Sequence, residues 1–186
     1  MARPSDTKQR IMQTARELFA TKGVQQTSLQ EIADRLGITK PALYYHFASR
    51  DELIRSIVTP LIDDGDQFLS HMEQRDDVAP LELVEGFFDF HHRHRADILL
   101  LLSELTTLAE LGLIDVVLAW RARLTRMVFG PEPTLEQEAR AVLAFGGMQD
   151  CTMQFPDAPF DELRAATVTA ACAALGIDQV RTRSGL

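Results

Sequence analysis

Apolar residues recur along this chain at helical spacing nearly everywhere. Ile11, Ala15, Leu18 and Phe19 share one face of a stretch over residues 6–22, with Ser5 or Asp6 placed to cap its start and Gly23 to stop it. Ser28-Leu29-Gln30-Glu31 then has the S-x-x-E form of a capping box, in which the hydroxyl and the carboxylate satisfy free N–H groups at the start of a helix running to about Leu36 and ending at Gly37. Thr39 can cap a third helix. Pro41 falls in its first turn, where the missing N–H costs nothing and the fixed φ helps. Further on, the pattern predicts helices over 51–75, with Pro60 as a kink or break that could serve as a linker, over 81–95, 96–111 and 113–129, the last ending at Gly130-Pro131. Thr134-x-x-Gln137 is a second capping box, opening a helix toward Gln154, and a final helix covers 161–175. The fold class is therefore all-α.

Two short helices joined by a turn containing Gly37 make a helix-turn-helix. Ile32, Ala33, Ile38, Leu43 and Phe47 would hold the pair together, leaving Lys40, Ala42, Tyr44, Tyr45 and His46 turned outward, with Lys40 and Tyr44 on one face at i,i+4. Two blander roles stay open: either tyrosine ring could pack on the first helix, and His46 could simply cap the third at its C-terminal end.

Charge sharpens this picture. The net charge of −8 argues against a polyanionic partner, but residues 1–50 hold eight Lys/Arg against four Asp/Glu, and every lysine (Lys8, Lys22, Lys40) lies there. A basic N-terminal segment can face phosphate while the acidic remainder keeps the protein soluble. With 46% hydrophobic residues the chain can bury a real core. Its longest apolar run, at 98–102, is far too short to span a bilayer, and no signal-peptide pattern opens it, so it reads as a soluble cytoplasmic protein. Cys151 and Cys172 match no zinc or redox spacing and read as small buried hydrophobes.

Residues 8–53 resemble the DNA-binding domain of the TetR family of transcriptional regulators, through Ile11, Ala15, Leu18, Phe19, Gly23, Ile32, Ala33, Gly37, Ile38, Leu43, Tyr44, His46, Phe47, Ser49 and Leu53 at the family's spacing. The resemblance implies a DNA-binding domain over 1–50 and a larger helical ligand-binding and dimerisation domain over 51–186. It implies phosphate contacts from Tyr44 and His46, and places Arg50 where a lysine usually touches phosphate. The DNA surface would further include Ser28, Gln30, Thr39, Lys40, Pro41, Ala42 and Tyr45. Among these, Lys40 could donate to guanine and Gln30 to adenine, and Pro41 and Ala42 could touch thymine methyls.

Beyond residue 53 only periodicity speaks. HHRHR at 91–95 tempts a metal reading, but no E-x-x-H partner or H-E-x-x-H accompanies it, and no catalytic signature occurs, so no metal, cofactor or catalytic residue is assigned. Phe68, Met72, Phe87, Phe88, Phe90, Leu102, Trp120, Met127 and Met148 offer apolar bulk for a core and for a deformable ligand cavity, with His91, His94, Asp150 or Gln154 to orient a ligand. Gly146-Gly147 and the alanines of the last helix suit a dimer interface, though an ordinary core would use them too. The expectation is a homodimeric, ligand-responsive regulator, a repressor released from a palindromic operator DNA by an unknown small-molecule inducer, not an enzyme. The alternatives are a helical metal- or small-molecule-handling enzyme using His91 and His94, and a DNA-binding structural protein without an inducer.

Overall fold

The computed structural model describes residues 4–75, 77–102, 109 and 112–177. Among them lie eight helices and no strand: α1 (Pro4–Lys22), α2 (Leu29–Leu36), α3 (Lys40–His46), α4 (Arg50–Glu73), α5 (Pro80–Leu102), α6 (Leu113–Phe129), α7 (Leu135–Gln154) and α8 (Phe160–Leu175). Glycine sets several ends: Gly23, Gly37, Gly130 and Gly176 all take positive φ just past a helix, where a side chain would be strained. Two expectations change. Residues 96–102 are the last turns of α5, not a separate helix, while 103–108 and 110–111 lie outside the described residues, as do the side chains of Ser5 and Leu102. Pro60 does not break its helix. It sits inside a continuous α4.

The described parts form two compact units, the first from Met1–Asp63 with Ala96–Leu111, the second from Asp64–Arg95 with Gly112–Leu186. In the first, Ile11, Ala15, Ile32, Ala33, Leu43, Phe47, Leu53 and Ile57 are fully buried, and burying each larger side chain stabilises by about 1.5–3 kcal/mol. Arg16 of α1 ties this unit together: its Nε donates to Asp97 Oδ1 at 2.7 Å and its Nη2 to the Ile57 carbonyl at 3.1 Å. Ile57 lies in the turn that Pro60 weakens, since a proline at 60 cannot donate to the Ser56 carbonyl.

The second unit is built around Leu69, Leu83, Val84, Phe87, Phe88, Leu124, Phe145, Met148 and Cys172, all buried. On α5, Val84, Phe87, Phe88 and His91 are buried at i, i+3, i+4 and i+7, one face of the helix. The capping box at Thr134 and Gln137 forms in full, with both reciprocal bonds present. Cys172 is buried and Cys151 half-buried. No helix among the described residues is long and apolar enough to cross a membrane.

Candidate functional site

The helix-turn-helix owes its shape to local chemistry. Ser28 Oγ accepts from the Glu31 N–H at 3.1 Å, starting α2. The reciprocal half of the expected box does not form, because the Glu31 carboxylate turns to pair with Lys22 Nζ. Gly37, at φ 67°, closes α2 as its N–H reaches the Asp34 carbonyl and the Ile38 N–H reaches that of Ala33. Thr39 Oγ1 then accepts from the Ala42 N–H at 3.3 Å and Pro41 fills the first turn of α3.

That arrangement buries Leu43 and Phe47 completely and presents the opposite side of α3 to solvent. Thr39, Lys40, Pro41, Ala42, Tyr44 and Tyr45 are exposed, as are Ser28 and Gln30 on α2, and His46 is half-buried. Tyr45 is 82% exposed and Tyr44 43%, so neither ring belongs to the core. Lys40 Nζ sits 5.8 Å from the centroid of the Tyr44 ring, and Tyr45 meets His46 edge-on at 5.3 Å. Two polar side chains are already engaged. Gln30 Nε2 donates to Asp34 Oδ1 at 2.7 Å. Arg50 donates inward to the carbonyls of Val24 and Gln25 and, at 2.7 Å, to Gln25 Oε1, so its guanidinium ties down the α1–α2 loop. Nothing in the sequence marked that pairing.

In the second unit a group of rings gathers along α5 at i, i+3, i+4 and i+7: Phe87, Phe90, His91 and His94. Phe90 is the hub, 5.3 Å from His91, 5.0 Å from His94, 5.6 Å from Trp120 and 6.4 Å from Phe68. Phe87 lies 4.3 Å from His91 and 5.1 Å from Phe145, near Met148 in the buried cluster. Phe68, Phe87, His91, His94, Trp120 and Met148 thus belong to one neighbourhood. Asp150 and Gln154 are exposed on α7, in contrast with the buried His91. Gly65, Asp64 and Asp66 carry no mark of a site role in the sequence. His94 Nε2 is 3.0 Å from Asp64 Oδ2, and Trp120 Nε1 donates to Asp66 Oδ1 at 2.8 Å. Burial, helped by the charge of His94, holds the His91 pKa down to about 3, so this imidazole is neutral. Among the described residues no three His, Cys, Asp or Glu side chains group closely enough to hold a metal ion.

A displayed helix-turn-helix together with a second helical unit places the described residues in the class of two-part all-α proteins. Residues 11–57 match the profile of the bacterial regulatory proteins of the tetR family, so the DNA-binding segment of the chain is similar to that of this family. Over 123 residues it is 28% identical to the HTH-type transcriptional repressor KstR2 of Mycolicibacterium smegmatis, covering 62% of this chain and 58% of that protein. Over 76 residues it is 33% identical to the HTH-type transcriptional regulator TtgR of Pseudomonas putida, covering 41% of this chain and 36% of that protein. The matches therefore span 58% and 36% of these relatives' lengths. A TetR-like regulator from Rhodococcus superposes with a TM-score of 0.74 at 20% identity, over 95% of this chain and 98% of that one. A regulator from Aquifex aeolicus VF5 gives 0.72 at 23%, over 88% and 96%. These likenesses establish the fold.

Proposed function

We propose that the protein is a DNA-binding transcriptional regulator that acts as a homodimer on a palindromic operator, represses transcription there, and is released by a small molecule held in its second unit. The observation that carries the DNA reading is the division of α3, whose Leu43 is sealed in the core while Lys40, Pro41, Ala42, Tyr44 and Tyr45 stand in solvent. A short helix anchored on one side and displaying a lysine and aromatic hydroxyls on the other fits the major groove. Tyr44 and His46 supply phosphate contacts, and Lys40 with Gln30 reads base edges. Arg50 supports DNA binding by fixing the α1–α2 loop, which differs from a direct phosphate contact by a free side chain.

Dimerisation is supported by an apolar face left uncovered in the single chain. On α7, Ala139, Val142 and Leu143 are exposed. Ala165, Ala166, Ala170 and Ala173 are exposed on α8, the helix most extensively packed against α7. Ala171, by contrast, is buried within its own chain. The names of similar proteins, among them the repressor of Mycolicibacterium smegmatis, support repression as the direction of control.

Selection from randomised duplexes tests the whole reading. An enriched palindrome is expected, with half-sites about 34–36 Å or a multiple of one turn apart, whose base preference shifts in Lys40→Ala and Gln30→Ala. Recovery of no common sequence, with binding that only tracks salt, would remove sequence-specific regulation from consideration.

A further inference from the structure

The ring cluster of the second unit contains a feature that core packing does not explain. His91 is 6% exposed, and its Nδ1 is buried with no hydrogen-bond partner among the described residues. Burying such an atom unpaired is unfavourable, and a leucine in its place would carry no such penalty. Its immediate neighbours are the rings of Phe87 and Phe90, which offer only faces and edges.

Two glycines on the surrounding helices make room for further rings. A Cβ at Gly65 of α4 would overlap the six-membered ring of Trp120, and a Cβ at Gly86 of α5 would lie 2.6 Å from Phe68 Cε2. Trp120 and Phe68 thus reach bare backbone with the tips of their rings, and both join Phe90 and His91 in one ring cluster. The charged groups at its edge are already paired: Asp64 with His94, Asp66 with Trp120 and Arg123, and Arg123 also with Glu73 at 2.7 Å.

We propose that this ring cluster opens to bind an apolar, ring-sized molecule bearing a single uncharged hydroxyl, and that the hydroxyl pairs with His91 Nδ1. The proposal rests on the reading of the protein as a ligand-responsive regulator and names the class of its ligand. A hydroxyl can donate or accept, so it serves Nδ1 in either tautomer of the neutral ring. A carboxylate would enter beside Asp64 and Asp66 with an imidazole that resists protonation as its partner. A bare hydrocarbon would leave the nitrogen unpaired.

Three matched probes separate these cases: 2-naphthol, naphthalene and 2-naphthoate, titrated by calorimetry into the full chain and into His91→Leu and His91→Asn. In the native chain 2-naphthoate should bind weakest of the three. His91→Leu should weaken 2-naphthol about five- to tenfold, the range expected for one buried neutral hydrogen bond, while naphthalene binds equally or more tightly. His91→Asn, which keeps a hydrogen-bonding group, should retain part of the naphthol affinity, and both variants are checked for native helix content. Tightest binding of 2-naphthoate, equal loss of 2-naphthol and naphthalene in His91→Leu, or no binding of any probe would each overturn the proposal. Operator affinity measured on the same samples keeps the two readings apart. Histidine-dependent naphthol binding that leaves operator affinity unchanged would support the site and defeat ligand response. Operator binding with none of the predicted probe selectivity would do the reverse.

Discussion

Gly65 and Trp120 offer a test in which one substitution should change sign with its neighbour. Inside an exposed helix, glycine to alanine stabilises by about 1 kcal/mol. At Gly65 the new methyl would overlap the Trp120 ring; even Cζ3, the farthest of its three nearest atoms, would be at 2.8 Å. The ring must then leave its seat, giving up its edge contact with Phe90 at 5.6 Å and the 2.8 Å bond from Nε1 to Asp66. Overpacking of this kind costs roughly 1–3 kcal/mol, and the lost hydrogen bond and ring contact about 0.5–1.5 kcal/mol each. Gly65→Ala should therefore destabilise by about 1–5 kcal/mol net, from these terms against the helix gain. In a Trp120→Ala background the obstacle is absent and the same substitution should stabilise by up to about 1 kcal/mol. Urea denaturation of the four proteins measures the cycle. The chain has a single tryptophan, so its emission reports on this ring alone and should shift to the red in Gly65→Ala. A stabilised Gly65→Ala with unchanged emission, or equal effects in both backgrounds, would refute the reasoning.

Arg16→Ala and Asp97→Asn should each destabilise the first unit by about 1–2 kcal/mol, and the double variant by less than their sum, because both remove one charge-assisted pair; strict additivity in denaturation would show the pair to be idle. His91 should make the protein acid-sensitive: its folded pKa of about 3 lies below the ordinary 6.5, so the unfolded chain binds the proton first. The stabilisation is then complete above pH 6.5 and falls by about 1.4 kcal/mol per pH unit as pH drops toward 3, a slope that His91→Leu should remove from stability curves. Ala170→Arg, on the exposed face of α8, should yield a folded monomer with weakened operator binding, whereas Ala171→Arg should unfold the chain by burying a charge; sizing and circular dichroism distinguish the two. Arg50→Ala should raise hydrogen exchange at residues 24–27 in the free protein, and unchanged protection there would return Arg50 to a purely DNA-facing role.

The helix-turn-helix was legible because its determinants are local. Ser28, Gly37, Thr39 and Pro41 each act within four residues of their own position, so spacing alone locates both helices and the turn between them. The same locality explains what went wrong. Glu31 could serve its own helix or a neighbour, and the choice was made by Lys22, nine residues earlier, whose ammonium only the folded arrangement brings to it. Arg50 likewise spends its donors on Gln25, a partner twenty-five residues away. The helix assigned to 96–111 failed for another reason: no glycine, proline or cap separates Arg95 from Ala96, and an uninterrupted apolar period gives no ground for an end there.

The second unit is harder to read because a helical core and a ligand chamber draw on the same residue types. Phe87, Phe88 and Phe90 follow one period on α5, and no property of the letters tells which ring closes the core and which faces a guest. Two observations do discriminate, and both exist only in three dimensions. One is a polar atom that folding buries and leaves unpaired, as at His91 Nδ1, since a core under selection for stability alone would replace it. The other is a backbone position where a side chain is sterically excluded by an aromatic ring, as at Gly65 and Gly86, since a glycine inside a helix is unfavourable by about 1 kcal/mol and needs a compensating contact. The sequence contains ten glycines, and five of them are explained by positive φ. Gly65 and Gly86 are not among those five, and the rings they accommodate, Trp120 and Phe68, both meet Phe90, the neighbour of His91. The unpaired nitrogen and the two excluded side chains thus point independently to one ring cluster, which is why the ligand reading is attached to His91 and not to the histidine cluster as a whole.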